Sequence, residues 1–154
     1  MTAFASRALD FSQTDLQPQL TLIHIDQLKE HEGVDPGYLE SLRAEIESDG
    51  ILRMPIAVDR DTNTIIDGHH RLHALKHLCC KRIPVVFINY RSPDVAVTTW
   101  RDGEEVTKDS VLDAALGGRR LRPKTSKHLV LLNGVFEHIS VIEKEVNVPL
   151  ESLR

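Results

Sequence analysis

Apolar and polar positions alternate through LTLIHIDQL, residues 20–28, which predicts a strand running into a turn. Asp35-Pro36 then suits a helix start, with Asp as N-cap and Pro at the first helical position. Leu39, Leu42 and Ile46 fall on one face of that helix, and Gly50 is a natural stop. MPIAVDRDTNTIIDG predicts two short strands around a polar turn at residues 60–63. A second helix follows at once in IIDGHHRLHALKHL. Leu72, Leu75, Leu78 and Cys79 form its apolar face, and His69, His73 and His77 make a polar stripe at spacing four. RIPVVFINY predicts a buried strand and DVAVTTW another. Thr107 caps a helix through about Leu116, where Gly117-Gly118 ends it. Beyond that point the pattern weakens to one strand and much irregular chain. Short strands mixed with three or four helices predict an α+β fold.

Composition adds limits to this outline. The 154 residues are 41% hydrophobic and 27% charged, as expected of a globular chain. They predict one domain over residues 20–154, preceded by a flexible lead-in over residues 1–19. The net charge of -4 argues against a general nucleic-acid binder; Arg119-Arg120-Leu121-Arg122-Pro123-Lys124 is a local basic run. Cys79 and Cys80 are the only cysteines and are adjacent, which argues against a disulfide framework and for a reducing compartment. No apolar run approaches the roughly 20 residues that span a bilayer. The expectation is a cytoplasmic protein with neither nucleic acid nor membrane as partner.

The densest chemistry lies in Asp67-Gly68-His69-His70-Arg71, for which three readings compete. A metal site would use the histidine stripe, but a third ligand from one helix sits two turns away, and no Cys-x-x-Cys or His-Glu-x-x-His pattern supports it. A second reading makes Asp67 a helix cap, Gly68 a residue of unusual backbone angle, and the histidines a solvated face. The third is a phosphate cradle. A strand, a glycine and a helix start present free N–H groups and the positive end of the helix dipole. His69, His70 and Arg71 add side-chain donors, Arg with a two-pronged fork. Asp67 would repel an anion unless a divalent cation bridges them, as Mg²⁺ does with one or two carboxylates and substrate phosphates. Two other stretches could complete such a site. His31-Glu32-Gly33 puts a carboxylate in a loop, where it could be a general base or simply a solvated acid. Residues 122–128, RPKTSKH, gather a lysine, two hydroxyls and a histidine in an apparent loop. Trp100, the sole tryptophan, could wall a pocket or pack in the core.

IIDGHHRLHALKHLCCKRIPVVFINY resembles the core of the ParB/sulfiredoxin-like superfamily, and within it the free-serine kinases. LKEHEGVDPGYLESLRAEIESDGIL, TTWRDGEEVTKDSVLDAALGGRRLRPKTSKH and EVNVPLESLR extend the resemblance over nearly the whole chain after about residue 20. Sulfiredoxins carry a catalytic cysteine where His69 stands. Chromosome-partitioning ParB proteins carry Gly-Glu-Arg-Arg and a downstream helix-turn-helix, and neither is present. The resemblance implies a compact mixed sheet with three to four flanking helices. It implies an Mg²⁺-dependent phosphotransferase moving a phosphoryl group from ADP or ATP to the hydroxyl of free L-serine, giving O-phospho-L-serine. Glu32 would take the serine proton, and Asp67 would hold Mg²⁺. Gly68, His69, His70, Arg71 and Lys124 would bind nucleotide phosphate, with Asp67 and Arg71 acting in catalysis. Trp100, Thr125, Ser126 and His128 would border the amino acid. The alternative is a ParB-like nucleotide-binding or nucleotide-hydrolysing switch, using the same cradle without a small-molecule acceptor.

Overall fold

The computed structural model describes Leu16 and residues 18–154. Most of the expected lead-in, residues 1–15 and Gln17, lies outside the described residues; Leu16 is fully buried, and its carbonyl accepts from Asn89 N–H at 3.1 Å.

The chain forms β1 (Gln19–His24), α1 (Pro36–Asp49), β2 (Ile51–Leu52), β3 (Ile56–Asp59) and β4 (Ile65–Asp67). After these come α2 (His69–His77), β5 (Arg82–Ile88), β6 (Val95–Thr99) and α3 (Lys108–Leu116). The last elements are β7 (Ser126–Leu132), β8 (Val135–His138) and β9 (Val148–Pro149). The main sheet runs β1-β5-β3-β4, with β5 antiparallel to β1 and parallel to β3. A three-stranded sheet β6-β7-β8 and a short β2-β9 pair complete it.

Both faces of the main sheet are covered, which explains why β3 and β5 read as continuous apolar runs rather than alternating ones. Ile56, Val58, Ile83 and Val85 pack with Leu39 and Ile46 of α1 and Leu72 and Leu75 of α2. Ala57, Val86 and Ile88 point the other way, into a cluster with Val111 and Leu112 of α3 and Val130 and Leu132 of β7. The helix signals work as chemistry predicts. Asp35 accepts from Gly37 and Tyr38 N–H, and Gly50 closes α1 at φ 70°. Thr107 and Ser110 form a reciprocal capping box on α3. Among the described residues no helix is long and apolar enough to cross a membrane.

Three expectations need correction. Residues 126–128 are not loop but the start of β7, paired with β6. The chain after residue 119 holds a hairpin, β7 to β8, closed by Asn133-Gly134 at φ 53° and 79°. That dipeptide is the preferred two-residue hairpin turn, because both positions take positive φ, so the signal was present in LLNGV. Cys79 does not join the apolar face of α2. The helix has ended, Cys79 sits at φ 63°, and it is exposed while Cys80 is buried.

Gly68, between β4 and α2, has φ 113°. A Cβ there would meet Ile56 Cγ2 at 2.3 Å and Ile56 Cβ at 2.8 Å. Only glycine lets the helix start press this closely on β3. Gly68→Ala should therefore cost about 2–4 kcal/mol, combining backbone strain with overpacking. Urea unfolding checks this, and a loss below about 1 kcal/mol would mean the turn relaxes freely.

Candidate active site

A cleft of about 570 Å³ opens where the β4–α2 turn, the loop after β1, the start of β7 and the segment after β8 meet. Glu32, Asp67, Gly68, His69, His70, Arg71, Trp100, Lys124, Ser126 and His128 all line it. Of the candidates, Thr125 alone does not; it is buried behind the wall. Tyr38, His138, Ser140 and Glu143 also line the cleft, and none was singled out from sequence.

The turn into α2 fixes its histidines through backbone donors. His69 Nε2 accepts from His31 N–H at 3.1 Å, and His70 Nε2 accepts from Asp35 N–H at 2.9 Å. A ring nitrogen that accepts carries no proton, so each neutral ring keeps its proton on Nδ1 as a donor. Burial pushes the pKa of His69 well down and that of His70 down as well. The first turn of α2 thus combines free backbone N–H groups with neutral imidazole donors, a set suited to anions. The rest of the stripe separates from them. His77 is exposed, and His73 pairs with buried Glu30. Burial alone would raise Glu30, but the His73 hydrogen bond and the charges of His73, Lys76 and Arg120 outweigh it and hold its pKa at about 2. Among the described residues no group of three or more His, Cys, Asp or Glu could hold a metal ion.

Asp67 makes no helix cap; Gly68 occupies the N-cap without a side-chain bond. Instead Arg71 Nη2 reaches Asp67 Oδ2 at 3.1 Å and Glu143 Oε1 at 3.0 Å, while Nη1 donates to Pro55 O. Its guanidinium is therefore spent largely on the cleft wall. Glu143 comes from 72 residues further along the chain, and no local pattern could have placed it here. Its Oε2 is buried and receives no N–H or O–H from the other described residues, which leaves the neighbouring Asp67 carboxyl as its partner. Burial and the neighbouring Asp67 charge push the Glu143 pKa up to about 9. Burial would raise Asp67 too, but its hydrogen bond with Glu143 and the Arg71 charge lower it. The two carboxyls thus share one proton at neutral pH.

Glu32 lies across the cleft in a nest of donors. Its Oε1 accepts from Ser126 N–H at 2.9 Å, Ser126 Oγ at 3.0 Å and Thr125 N–H at 3.2 Å. Its Oε2 accepts from Lys124 N–H at 3.2 Å. The two segments are stitched by backbone bonds, Gly33 N–H to Leu121 O and Leu121 N–H to His31 O, both 2.7 Å. Lys124, at φ 58°, turns the chain so that successive N–H groups aim at one carboxylate. Desolvation still wins over these bonds, and the Glu32 pKa is raised. Beside it, Trp100 is exposed rather than packed in the core. Its indole donates to Ser126 O at 3.2 Å, and Lys127 Nζ lies 4.5 Å from its ring centre. His128 bonds Tyr90 OH at 2.8 Å, and burial lowers its pKa to about 3.

The chain and its fold resemble known proteins. No protein-family model matches the chain. The curated ATP-dependent L-serine kinase of Staphylothermus marinus is 40% identical over 83 residues, 51% of this chain and 33% of the relative. The ADP-dependent L-serine kinase of Thermococcus kodakarensis is 37% identical over 82 residues, 51% and 34% of the two chains. The chain thus spans about a third of the length of the curated relatives it matches. A free serine kinase solved in complex with AMP superposes with a TM-score of 0.74 at 19% identity, over 97% of this chain and 98% of that one. This chain has the free serine kinase fold. The α+β architecture expected from the sequence is therefore established over nearly its full length.

The shared proton of Asp67 and Glu143 has a consequence for stability. Folded Glu143 keeps a proton that an unfolded glutamate releases near 4.5. The native state therefore binds more protons between about 4.5 and about 9, and its stability declines as pH rises through that window. Glu143→Gln should flatten the decline. Denaturant unfolding from pH 5 to 9 tests it, and an unchanged slope in the variant would rule Glu143 out as the source. Removing the cation is harsher: Arg71→Met leaves the negative charge shared by Asp67 and buried Glu143 without its counter-ion and should cost about 3–5 kcal/mol, measured the same way.

Proposed function

We propose that the chain is a free serine kinase, transferring a phosphoryl group from ATP or ADP to the hydroxyl of L-serine. The observation that carries the reading is one cleft with a raised carboxylate, Glu32, on one wall and the anion-suited first turn of α2 on the other. Phosphoryl transfer requires alignment and charge neutralisation more than covalent help from the protein, and these two walls supply its separate needs. The names of the curated relatives support serine as acceptor and divide between ATP and ADP as donor.

In this reading the α2 N–H groups, with Gly68 allowing close approach and with His69 and His70 as neutral donors, hold the transferred phosphate. Arg71 fixes Asp67 in place and adds positive charge behind it. Lys124, exposed at the cleft rim, pairs with a terminal phosphate. Glu32 takes the proton as the serine oxygen bonds phosphorus and the bond to the leaving nucleotide oxygen breaks. Trp100, Ser126 and His128 border the amino acid, and Thr125 acts from behind through its N–H to Glu32. The residues present would fit Mg²⁺, because Asp67 is a hard oxygen donor beside the phosphate turn and the neighbouring Glu143 would join it on giving up the shared proton. When bound, Mg²⁺ would neutralise phosphate charge. With no three-residue ligand cluster among the described residues, it would draw its remaining ligands from phosphate and water. The cytoplasm is the expected compartment.

The deciding experiment incubates the protein with Mg²⁺, L-serine and either ATP or ADP, and measures O-phosphoserine by mass spectrometry. Free phosphate formed at the same rate with and without serine would instead favour a nucleotide-hydrolysing switch. Glu32→Gln should lower kcat by about 10²–10⁴ while nucleotide binding persists, and near-normal turnover in that variant would reject its role as base. Because Glu32 is raised above 4.5, kcat/KM should fall with decreasing pH along a limb displaced above that value.

A further inference from the structure

Trp100 and Arg101, just after β6, grip the turn around Glu32 from its far side. The Trp100 indole donates to Ser126 O at 3.2 Å. Arg101 Nη2 donates to Pro123 O at 2.6 Å, and Nη1 donates to Thr125 Oγ1 at 3.3 Å. The Thr125 hydroxyl donates in turn to Arg122 O at 2.5 Å. Glu104 braces the guanidinium, with Oε2 3.7 Å from Arg101 Nη1, while its Oε1 accepts from Arg122. The basic run at residues 119–124 thus serves as a strap, fastened by Arg120 to buried Glu30 and by Arg122 to Glu104. The Pro123 carbonyl and the Lys124 N–H belong to one peptide, and in a trans peptide they point in opposite directions. Arg101 therefore holds the carbonyl end of the same plane whose N–H donates to Glu32 Oε2 at 3.2 Å.

We infer that Arg101 is a positioning residue: from behind the cleft wall, through the Pro123–Lys124 peptide, it holds and strengthens a hydrogen bond to Glu32. The inference rests on the reading of Glu32 as the base. Two effects make the connection. The first is conformational. Lys124 has φ 58°, a left-handed angle that is unfavourable for a residue with a Cβ. Turning the Pro123–Lys124 peptide over would relieve that angle and aim the N–H away from Glu32. The guanidinium opposes the turn, because the carbonyl would lose its charged partner. The second effect is electronic. A cation on the carbonyl polarises the peptide, and its N–H becomes a better donor. Positive charge thus reaches the carboxylate across one peptide, leaving the Lys124 side chain to the phosphate. Charged or titratable groups also face Glu32 from within the cleft. They are His31, which reaches it through the Ser126 hydroxyl, Lys124 at the rim, and Asp67, Arg71, His69, His70 and His128 along the walls. Replacing Arg101 alters none of these side chains.

The test has an arm that needs no turnover. In the full chain, ¹³C NMR of the Glu32 carboxyl, assigned with Glu32→Gln, follows its titration directly. Arg101→Met keeps much of the side chain's bulk and removes both donors. It should raise the Glu32 midpoint by about half to one pH unit. The Lys124 N–H resonance should move upfield as its hydrogen bond weakens. In kinetics the acidic limb of kcat/KM should rise with the midpoint, and kcat should fall about three- to tenfold as the base is held less squarely. The KM for nucleotide should stay the same. A Glu32 midpoint that stays or falls overturns the inference, because the peptide would then transmit nothing from Arg101. Loss of kcat with the limb in place also overturns it, and makes Arg101 a brace for the loop alone. Should Arg101→Met fail to fold, Arg101→Gln, polar and uncharged, carries the same expectation. Absence of phosphoserine formation by the unaltered chain would strike the serine-kinase reading, while the titration and the Lys124 resonance would still report on Arg101.

Discussion

The approach of Gly68 to Ile56 sets the position of everything in the cleft. At φ 113°, with no room for a Cβ against Ile56, Gly68 brings the end of β4 and the start of α2 onto the same edge of the main sheet. The N–H groups of the first helical turn are thereby presented at a fixed height beside Asp67. His69 and His70 follow within that turn, and each ring is locked by a backbone N–H from the chain between residues 31 and 35. The same contact therefore orients the loop that carries Glu32. A short side chain at position 68 would move the first turn of α2 and the Glu32 loop together.

The cleft has two carboxylate environments with opposite logic. Asp67 and Glu143 stand close, share a proton, and lean on one guanidinium. Glu32 stands apart from acidic neighbours, surrounded by N–H donors yet desolvated enough that its proton affinity rises. Burial pulls these groups apart in behaviour: one pair holds a proton between its members against the Arg71 charge, and the lone carboxylate has its own proton affinity raised. Such separation by environment is how one set of side-chain types performs different tasks near neutral pH.

Several signals legible in the sequence are ones whose physics is local. The Asp35-Pro36 start, the Gly50 stop, the Thr107 cap and the two-face burial of β5 depend on residues within a few positions of each other. The Asn133-Gly134 turn is an equally local signal and joins β7 to β8, where the weak apolar pattern alone implies irregular chain. Cys79 was misplaced because helical periodicity does not announce its own end. Only the backbone at φ 63° shows that α2 has stopped.

By itself the sequence determined the α+β class and the glycine turn before a histidine-rich helix start, and it nominated the 67–71 box as an anion-binding candidate. These follow from short-range periodicity, capping and side-chain type. The tertiary structure alone decided that Arg71 is committed to Asp67 and Glu143 rather than left free in the cleft. It also decided that Thr125 lies behind the wall, that His73 belongs to Glu30, and that His31 reaches Glu32 through Ser126. Each of these last contacts joins residues 43 to 95 positions apart in at least one link. Proton positions and pKa values depend on such distant neighbours and on burial, and no window of sequence contains either.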